Sequence, residues 1–224
     1  MENLIDIKGV CKNFGRGGDV IKALVDVSIT LEKQTFAAVS GPSGSGKSTL
    51  LNIVGTLDRP DEGSVSLDGE EIDYFNESAL ERIRAQRLGF IFQNFNLIPV
   101  LSAVENVEMP LYGNNMNAAE RHEKASEALD AVGLADRLTH RPNELSGGQQ
   151  QRVAVARALA GDPELVLGDE PTANLDIKSA FLLLDVMEKL NQDFGTAFLF
   201  STHDPRILDR AKTIFILEDG VLQS

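Results

Sequence analysis

Eight consecutive residues carry the clearest chemistry in the chain: Gly41-Pro42-Ser43-Gly44-Ser45-Gly46-Lys47-Ser48, followed by Thr49. They follow the apolar run Phe36-Ala37-Ala38-Val39 and lead into Leu50-Leu51-Asn52-Ile53-Val54, which places glycine-rich turn chemistry between a buried strand and a helix. In that setting the pattern G-x-x-x-x-G-K-[ST] makes a phosphate cradle. Its glycines let successive N–H groups curl around an anion, and the helix N-terminus behind them adds about half a positive charge. Lys47 would reach the β- and γ-phosphates, and the Ser48 hydroxyl would ligate Mg²⁺. Read alone, the loop is compatible with a kinase, a GTPase or a motor.

A second constellation narrows the chemistry. Leu165-Val166-Leu167-Gly168 runs into Asp169-Glu170, which puts two carboxylates at the C-terminal end of a strand, where parallel sheets bind ligands. Asp169 suits Mg²⁺, directly or through its water shell, and Glu170 would lie near the γ-phosphate to orient and activate a water. An Asp-Glu pair at a strand end is usually a solvated turn, so the catalytic reading depends on the phosphate loop being present with it.

The elements that must position these groups alternate in type. Leu4, Ile5 and Ile7 mark a short first strand, before a turn at Arg16-Gly17-Gly18-Asp19. Val25, Val27, Ile29 and Leu31 alternate with polar residues, the period of an antiparallel strand with one wet face. Residues 64–67 with Asp68-Gly69 suggest a hairpin, and Leu80 and Ile83 sit at helical spacing before the apolar run 88–92. Strand signals then vanish until about Pro163. Ala103 to Met109 reads as a helix stopped by Pro110, and Ala118, Ala125, Ala128, Leu129 and Val132 form the apolar stripe of a longer one. A helix opens at Ser146-Gly147-Gly148, and another spans about 177–193 with Phe181, Leu184, Val186 and Leu190 on its apolar side. This order predicts an α/β fold: a mostly parallel central sheet, an antiparallel β subdomain on the N-terminal side and an inserted α-helical subdomain. The boundaries expected within a single domain, 1–224, are 1–92 and 163–224 for the nucleotide-binding core with the β subdomain, and 93–162 for the helical part.

Composition limits the partners. With 21 basic against 34 acidic residues the net charge is −13, which argues against a nucleic-acid surface and against adsorption to anionic lipid by charge alone. Any membrane role requires a protein partner. The single cysteine, Cys11, cannot form an internal disulfide and reads as a small buried apolar residue. The N-terminus lacks the features of a secretory signal, and no apolar run approaches the ~20 residues that span a bilayer, so the chain reads as cytoplasmic.

Leu145-Ser146-Gly147-Gly148-Gln149 matches the signature motif of the ATP-binding cassette (ABC) ATPases, and the chain resembles that family over nearly its whole length. Gln93 matches the family's Q-loop glutamine, Ala173-Asn174-Leu175-Asp176 its D-loop and His203 its switch histidine; Phe14 takes the place of the aromatic residue that stacks on adenine. The resemblance implies a P-loop NTPase core and an ATPase using ATP and Mg²⁺. It implies that Ser146, Gly147, Gly148 and Gln149 grip the nucleotide held by a second copy, so that a homodimer clamps two ATP molecules with Asp176 at the seam. His203 would contact the γ-phosphate, and Gln93 would sense Mg²⁺ and link the site to the helical insertion. Gly55-Thr56-Leu57-Asp58-Arg59-Pro60, the run from Phe92 to Pro99 and the run from Glu105 to Leu111 look like the subgroup of the lipoprotein-releasing ATPase LolD and the macrolide exporter MacB. That likeness implies separate transmembrane permease subunits driven by dimer closure, with the ATPase peripheral on the cytoplasmic face of the cell membrane and in contact with it only through them. Phe95, Leu97 and Ile98 either receive a permease helix or form core of the insertion. A regulatory ABC ATPase of the cell-division type, without transport, is the alternative; a soluble form acting on ribosomes or DNA is disfavoured by the charge and the single cassette. Gly168 stands where relatives often carry alanine, a small-for-small difference that leaves the resemblance intact.

Overall fold

The computed structural model describes residues 2–16 and 19–223, so the turn expected at Arg16-Gly17-Gly18-Asp19 lies partly outside the described residues. Two sheets share one chain. In the first, β1 (Asn3–Arg16) pairs antiparallel with β2 (Asp19–Glu32) on one side and with β4 (Glu62–Leu67) on the other, and β4 turns back into β5 (Glu70–Glu71). The opening strand is much longer than Leu4, Ile5 and Ile7 suggest, because register shifts near Gly9 and Cys11 interrupt its alternation without ending its pairing. Cys11 is half-buried there, and its sulfur accepts the Asp26 N–H at 3.3 Å.

The second sheet has six strands. With β3 (Phe36–Ser40), β6 (Leu88–Ile91), β7 (Leu165–Asp169), β8 (Ala197–Ser201), β9 (Thr213–Glu218) and β10 (Val221–Gln223), its order is β10-β9-β3-β8-β7-β6. All pairings are parallel except the terminal β9–β10 hairpin. The parallel strands β3, β7 and β8 are buried on both faces, which is why their sequences run apolar without alternation.

Successive strand residues serve opposite layers. Phe36, Ala38, Ile91, Val166, Phe198 and Phe200 pack against a helical layer: α3 (Ala103–Glu108), α4 (Ala118–Ala131), α5 (Gly147–Leu159) and α6 (Ile177–Phe194). Ala37, Val39, Leu165, Leu167 and Leu199 face the antiparallel sheet, α1 (Lys47–Val54) and α2 (Glu77–Gln86). On the stripe of α4, Ala125, Leu129 and Val132 are buried, whereas Ala118 is exposed in the first turn. On α6, Ala180, Leu183, Leu184, Met187 and Leu190 make the buried face. Phe181 is instead 44% exposed, with the Arg210 guanidinium 5.9 Å from its ring centre.

Adjacent strands β6 and β7 are separated in sequence by α3, α4 and α5, and Arg87 forks onto both carboxylate oxygens of Glu164 (2.7 and 2.8 Å) at the point where the two strands begin. This bidentate pair ties the two ends of the helical excursion together. Gly168 is closely packed: a Cβ there would lie 2.6 Å from Cδ1 of Phe200, so an added methyl would oblige the ring or the strand to shift. No helix among the described residues is long and apolar enough to cross a membrane.

Candidate active site

The phosphate loop spans β3 and α1, and backbone sterics explain its glycines. A Cβ on Gly41 would fall 2.0 Å from the Leu217 carbonyl oxygen, and one on Gly46 2.3 Å from that of Ala23. Gly46 also takes φ 101°, a left-handed conformation that side chains rarely adopt. The first backbone bond of α1 runs from the Leu50 N–H to Gly46 O at 2.9 Å. The earlier N–H groups of the helix therefore point into the loop without intrahelical acceptors. Lys47 is buried and donates to the carbonyl oxygens of Gly41 and Pro42, each at 2.8 Å. Its ammonium thus closes a ring of backbone around the anion position. The Ser45 hydroxyl is buried and has no partner among the described residues, a polar atom suited to a phosphate oxygen.

Across the sheet, Ser48 donates to Asp169 Oδ1 at 3.0 Å, and the Ser201 hydroxyl bonds the same oxygen. The neighbouring end of β7 turns sharply: Glu170 has φ 46°. Its carboxylate is held at both oxygens, by the Thr202 hydroxyl at 3.2 Å and by Nδ1 of His203 at 2.6 Å. His203 is otherwise exposed, whereas Glu170 is mostly covered. Ser48, Asp169, Glu170 and His203 thus meet at the C-terminal edge of β7 and β8, beside the loop after β3.

The remaining expected residues are distributed around this edge. Ser146 caps α5: its hydroxyl accepts the Gln149 N–H at 3.3 Å, and the Gln149 side chain returns to the Ser146 N–H at 2.8 Å. The reciprocal capping explains a glutamine at this spacing, and it directs the Gln149 side chain backward onto its own turn. A Cβ on Gly148 would lie 2.8 Å from the Ser179 side chain, so α5 and α6 begin in contact. Asp176 caps α6 through the Ser179 N–H (3.0 Å) and hydroxyl (2.5 Å), and these bonds lower its pKa. The Gln93 side chain is exposed; the residue's backbone carbonyl accepts from the Asn174 amide at 2.9 Å, which joins the strand end of β6 to the turn before α6. Phe14 lies on β1, 45% exposed, with the Lys12 ammonium 5.3 Å from its ring centre.

Several contributors escaped sequence reasoning. Arg157 donates to the carbonyls of Phe95 (2.8 Å) and Asn96 (2.5 Å), pinning two non-glycine residues with positive φ. Asn106, fully buried, accepts the Ile98 N–H and donates to carbonyls of the same loop. Of the three apolar loop residues, Leu97 packs on the core while Ile98 stays 36% exposed. Asp204 takes hydrogen bonds from Arg206 and from Thr172 (2.6 Å); burial pushes its pKa up, but these bonds outweigh it and hold it at about 2. Asn106 stands between Glu105 and Val107, and no sequence signal sets it apart from an exposed helix residue.

A family model described as "ABC transporter" matches residues 24–173. The ABC transporter ATP-binding protein YknY of Bacillus subtilis is 42% identical over 217 residues, covering 97% of this chain and 94% of that one. The macrolide export ATP-binding/permease protein MacB of Bdellovibrio bacteriovorus is 45% identical over 221 residues, which is 99% of this chain but 34% of MacB. Among solved structures, a dimeric post-hydrolysis state of the ATP-binding cassette MJ0796, bound to ADP and Pi, superposes with a TM-score of 0.90 at 41% identity, over 99% of this chain and 97% of that one. MJ0796 belongs to Methanocaldococcus jannaschii. The chain belongs to the ABC transporter family and is an ATP-binding cassette of it, an ATPase that works with ATP and Mg²⁺.

Proposed function

We propose that this cassette acts as a homodimer closed around two ATP molecules and that its closure drives a separate membrane permease of the MacB and LolD type. The observation that carries the catalytic reading is the meeting of Ser48–Asp169 at 3.0 Å with Glu170–His203 at 2.6 Å on one strand edge. In this reading, loop 41–48 with Thr49 wraps the phosphates and Lys47 neutralises them. Ser48 and Asp169 would hold Mg²⁺ through one oxygen each, where the ion would offset phosphate charge, and Gln93 would sense it. Glu170 takes a proton from the attacking water while His203 and Thr202 hold its carboxylate in place. Ser146, Gly147 and Gly148 contact the partner's nucleotide, with Asp176 at the seam and Phe14 against the base.

The helical part, 93–162, faces the permease through the loop held by Asn106 and Arg157, where Ile98 is open. The likeness to the ATPase third of MacB supports the subgroup. The location that follows is the cytoplasmic face of the cell membrane, reached through the permease. Glu170→Gln tests the core of the reading. It leaves ATP binding intact, lowers turnover at least a hundredfold by removing the base, and accumulates an ATP-bound dimer in size-exclusion chromatography. Unchanged turnover, or an ATP-saturated variant that stays monomeric, rejects it.

A further inference from the structure

The turn that follows Glu170 is held from two sides by side chains outside the motifs. Gln151 on α5 is fully buried, and its Nε2 donates to the carbonyl oxygen of Pro171 at 2.7 Å. Its Oε1 is also buried and has no hydrogen-bond partner among the described residues. On the other side, the fully buried Thr172 donates to Asp204 at 2.6 Å, and the Asp204 N–H donates to the hydroxyl of Thr202, which itself donates to Glu170. Pro171 and Thr172 are therefore a node between the first turns of α5 and the loop carrying His203.

A glutamine placed only for packing would be replaced at no loss by an apolar residue of the same shape, and a buried amide with an idle oxygen costs stability. The bond it does make, to the Pro171 carbonyl, is what the amide contributes here. Gln151 lies just over one turn from Ser146 on a helix without internal breaks, so a movement of the Ser146–Gly148 turn is delivered to Pro171, the residue bonded to Glu170.

We infer that Gln151 is a positioning residue that couples the two nucleotides of the dimer. It passes the engagement of the partner's ATP by the turn at Ser146 to the carboxylate of Glu170, which acts on the protomer's own ATP. This rests on the dimeric reading above.

Gln151→Met keeps the shape and removes the donor, so it separates coupling from packing. In steady-state turnover of the purified protein, kcat falls about tenfold while the ATP concentration at half-saturation changes less than twofold. Binding of a fluorescent ATP analogue to the monomer is unchanged. In a Glu170→Gln background, the added Gln151→Met still yields the ATP-dependent dimer. Gln151→Asn, too short to reach Pro171, matches the methionine variant, whereas Gln151→Glu is not used because it would bury a charge. A kcat within twofold of the parent overturns the inference. So does loss of analogue binding or of the dimer, which marks a purely structural residue. Failure of the dimeric reading is separately visible, because Glu170→Gln alone would then stay monomeric.

Discussion

Gly168→Ala offers a sharp test of how the site's central strand is packed. The added methyl carbon would lie 2.6 Å from Cδ1 and 3.0 Å from Cε1 of Phe200, against about 3.5–4.0 Å for an unstrained carbon contact. One partner must move by about 1 Å. The ring is fully buried, 4.9 Å from the Phe36 centroid and 5.7 Å from that of Phe198, and its strand is paired on both edges, so no space lies behind it. Overpacking of this kind costs about 1–3 kcal/mol. Alanine also restricts the unfolded chain, which returns about 0.4–1 kcal/mol. The steric effect wins, leaving a net loss of about 1–2 kcal/mol. For a chain of this size that lowers Tm by ~2–8 °C. Urea titration at fixed temperature and thermal unfolding followed by circular dichroism both read it. Adding Phe200→Leu should remove the clash, so the double variant is more stable than the two single losses combined would make it, by about 1 kcal/mol or more. A Gly168→Ala protein as stable as its parent, or additivity in the double variant, refutes the argument.

Two other perturbations follow from buried polar groups. Asn106→Leu, nearly isosteric, leaves the Ile98 N–H and the carbonyls of its loop without their side-chain partner, and costs about 2–4 kcal/mol; hydrogen exchange of the Ile98 amide should accelerate markedly, and unchanged protection there contradicts the assignment. Asp204 sits at about 2 in the folded protein, below the ordinary carboxylate value of about 3.9. A depressed folded pKa means that its stabilisation, about 2 kcal/mol, is complete above pH ~4 and disappears as pH falls toward 2. In Asp204→Asn the stability deficit measured at pH 7 should therefore shrink on acidification through that window, and a pH-independent deficit speaks against it.

Much of this was legible in the residues. The phosphate loop, the paired acids after β7 and the helix start at Ser146 each announce local backbone chemistry, and short-range chemistry is what a sequence displays directly. The alternation of Val27, Ile29 and Leu31 identified an antiparallel strand with one wet face for the same reason, although at Asp26, where φ is 50°, it breaks, and Leu24 is buried in place of Val25. What stayed hidden depends on distant partners. Gly168 reads as a conservative change until Phe200, 32 residues on, is brought against it. Phe181 keeps helical spacing with Leu184 yet turns outward, because α6 offers more apolar residues than one face can bury. Arg157 and Gln151 bond backbone carbonyls far along the chain, and Asn106 those of its own loop; a carbonyl leaves no mark on the sequence.

The crowding around Gly46 and Gly41 bears on how this cassette can diverge. The phosphate loop touches β2 through the Ala23 carbonyl and β9 through that of Leu217, and the Gly220 N–H bonds Ser45 O at 3.1 Å. All of these contacts are main chain. The approach of the phosphate loop to β2 is thus set mainly by the main chain at Ala23, with the Leu24 side chain beside it. Phe14, Val20 and Ile21 on the β1–β2 ribbon are exposed and take no part in those main-chain contacts. Substitution of these side chains should therefore leave the geometry of the phosphate loop unchanged.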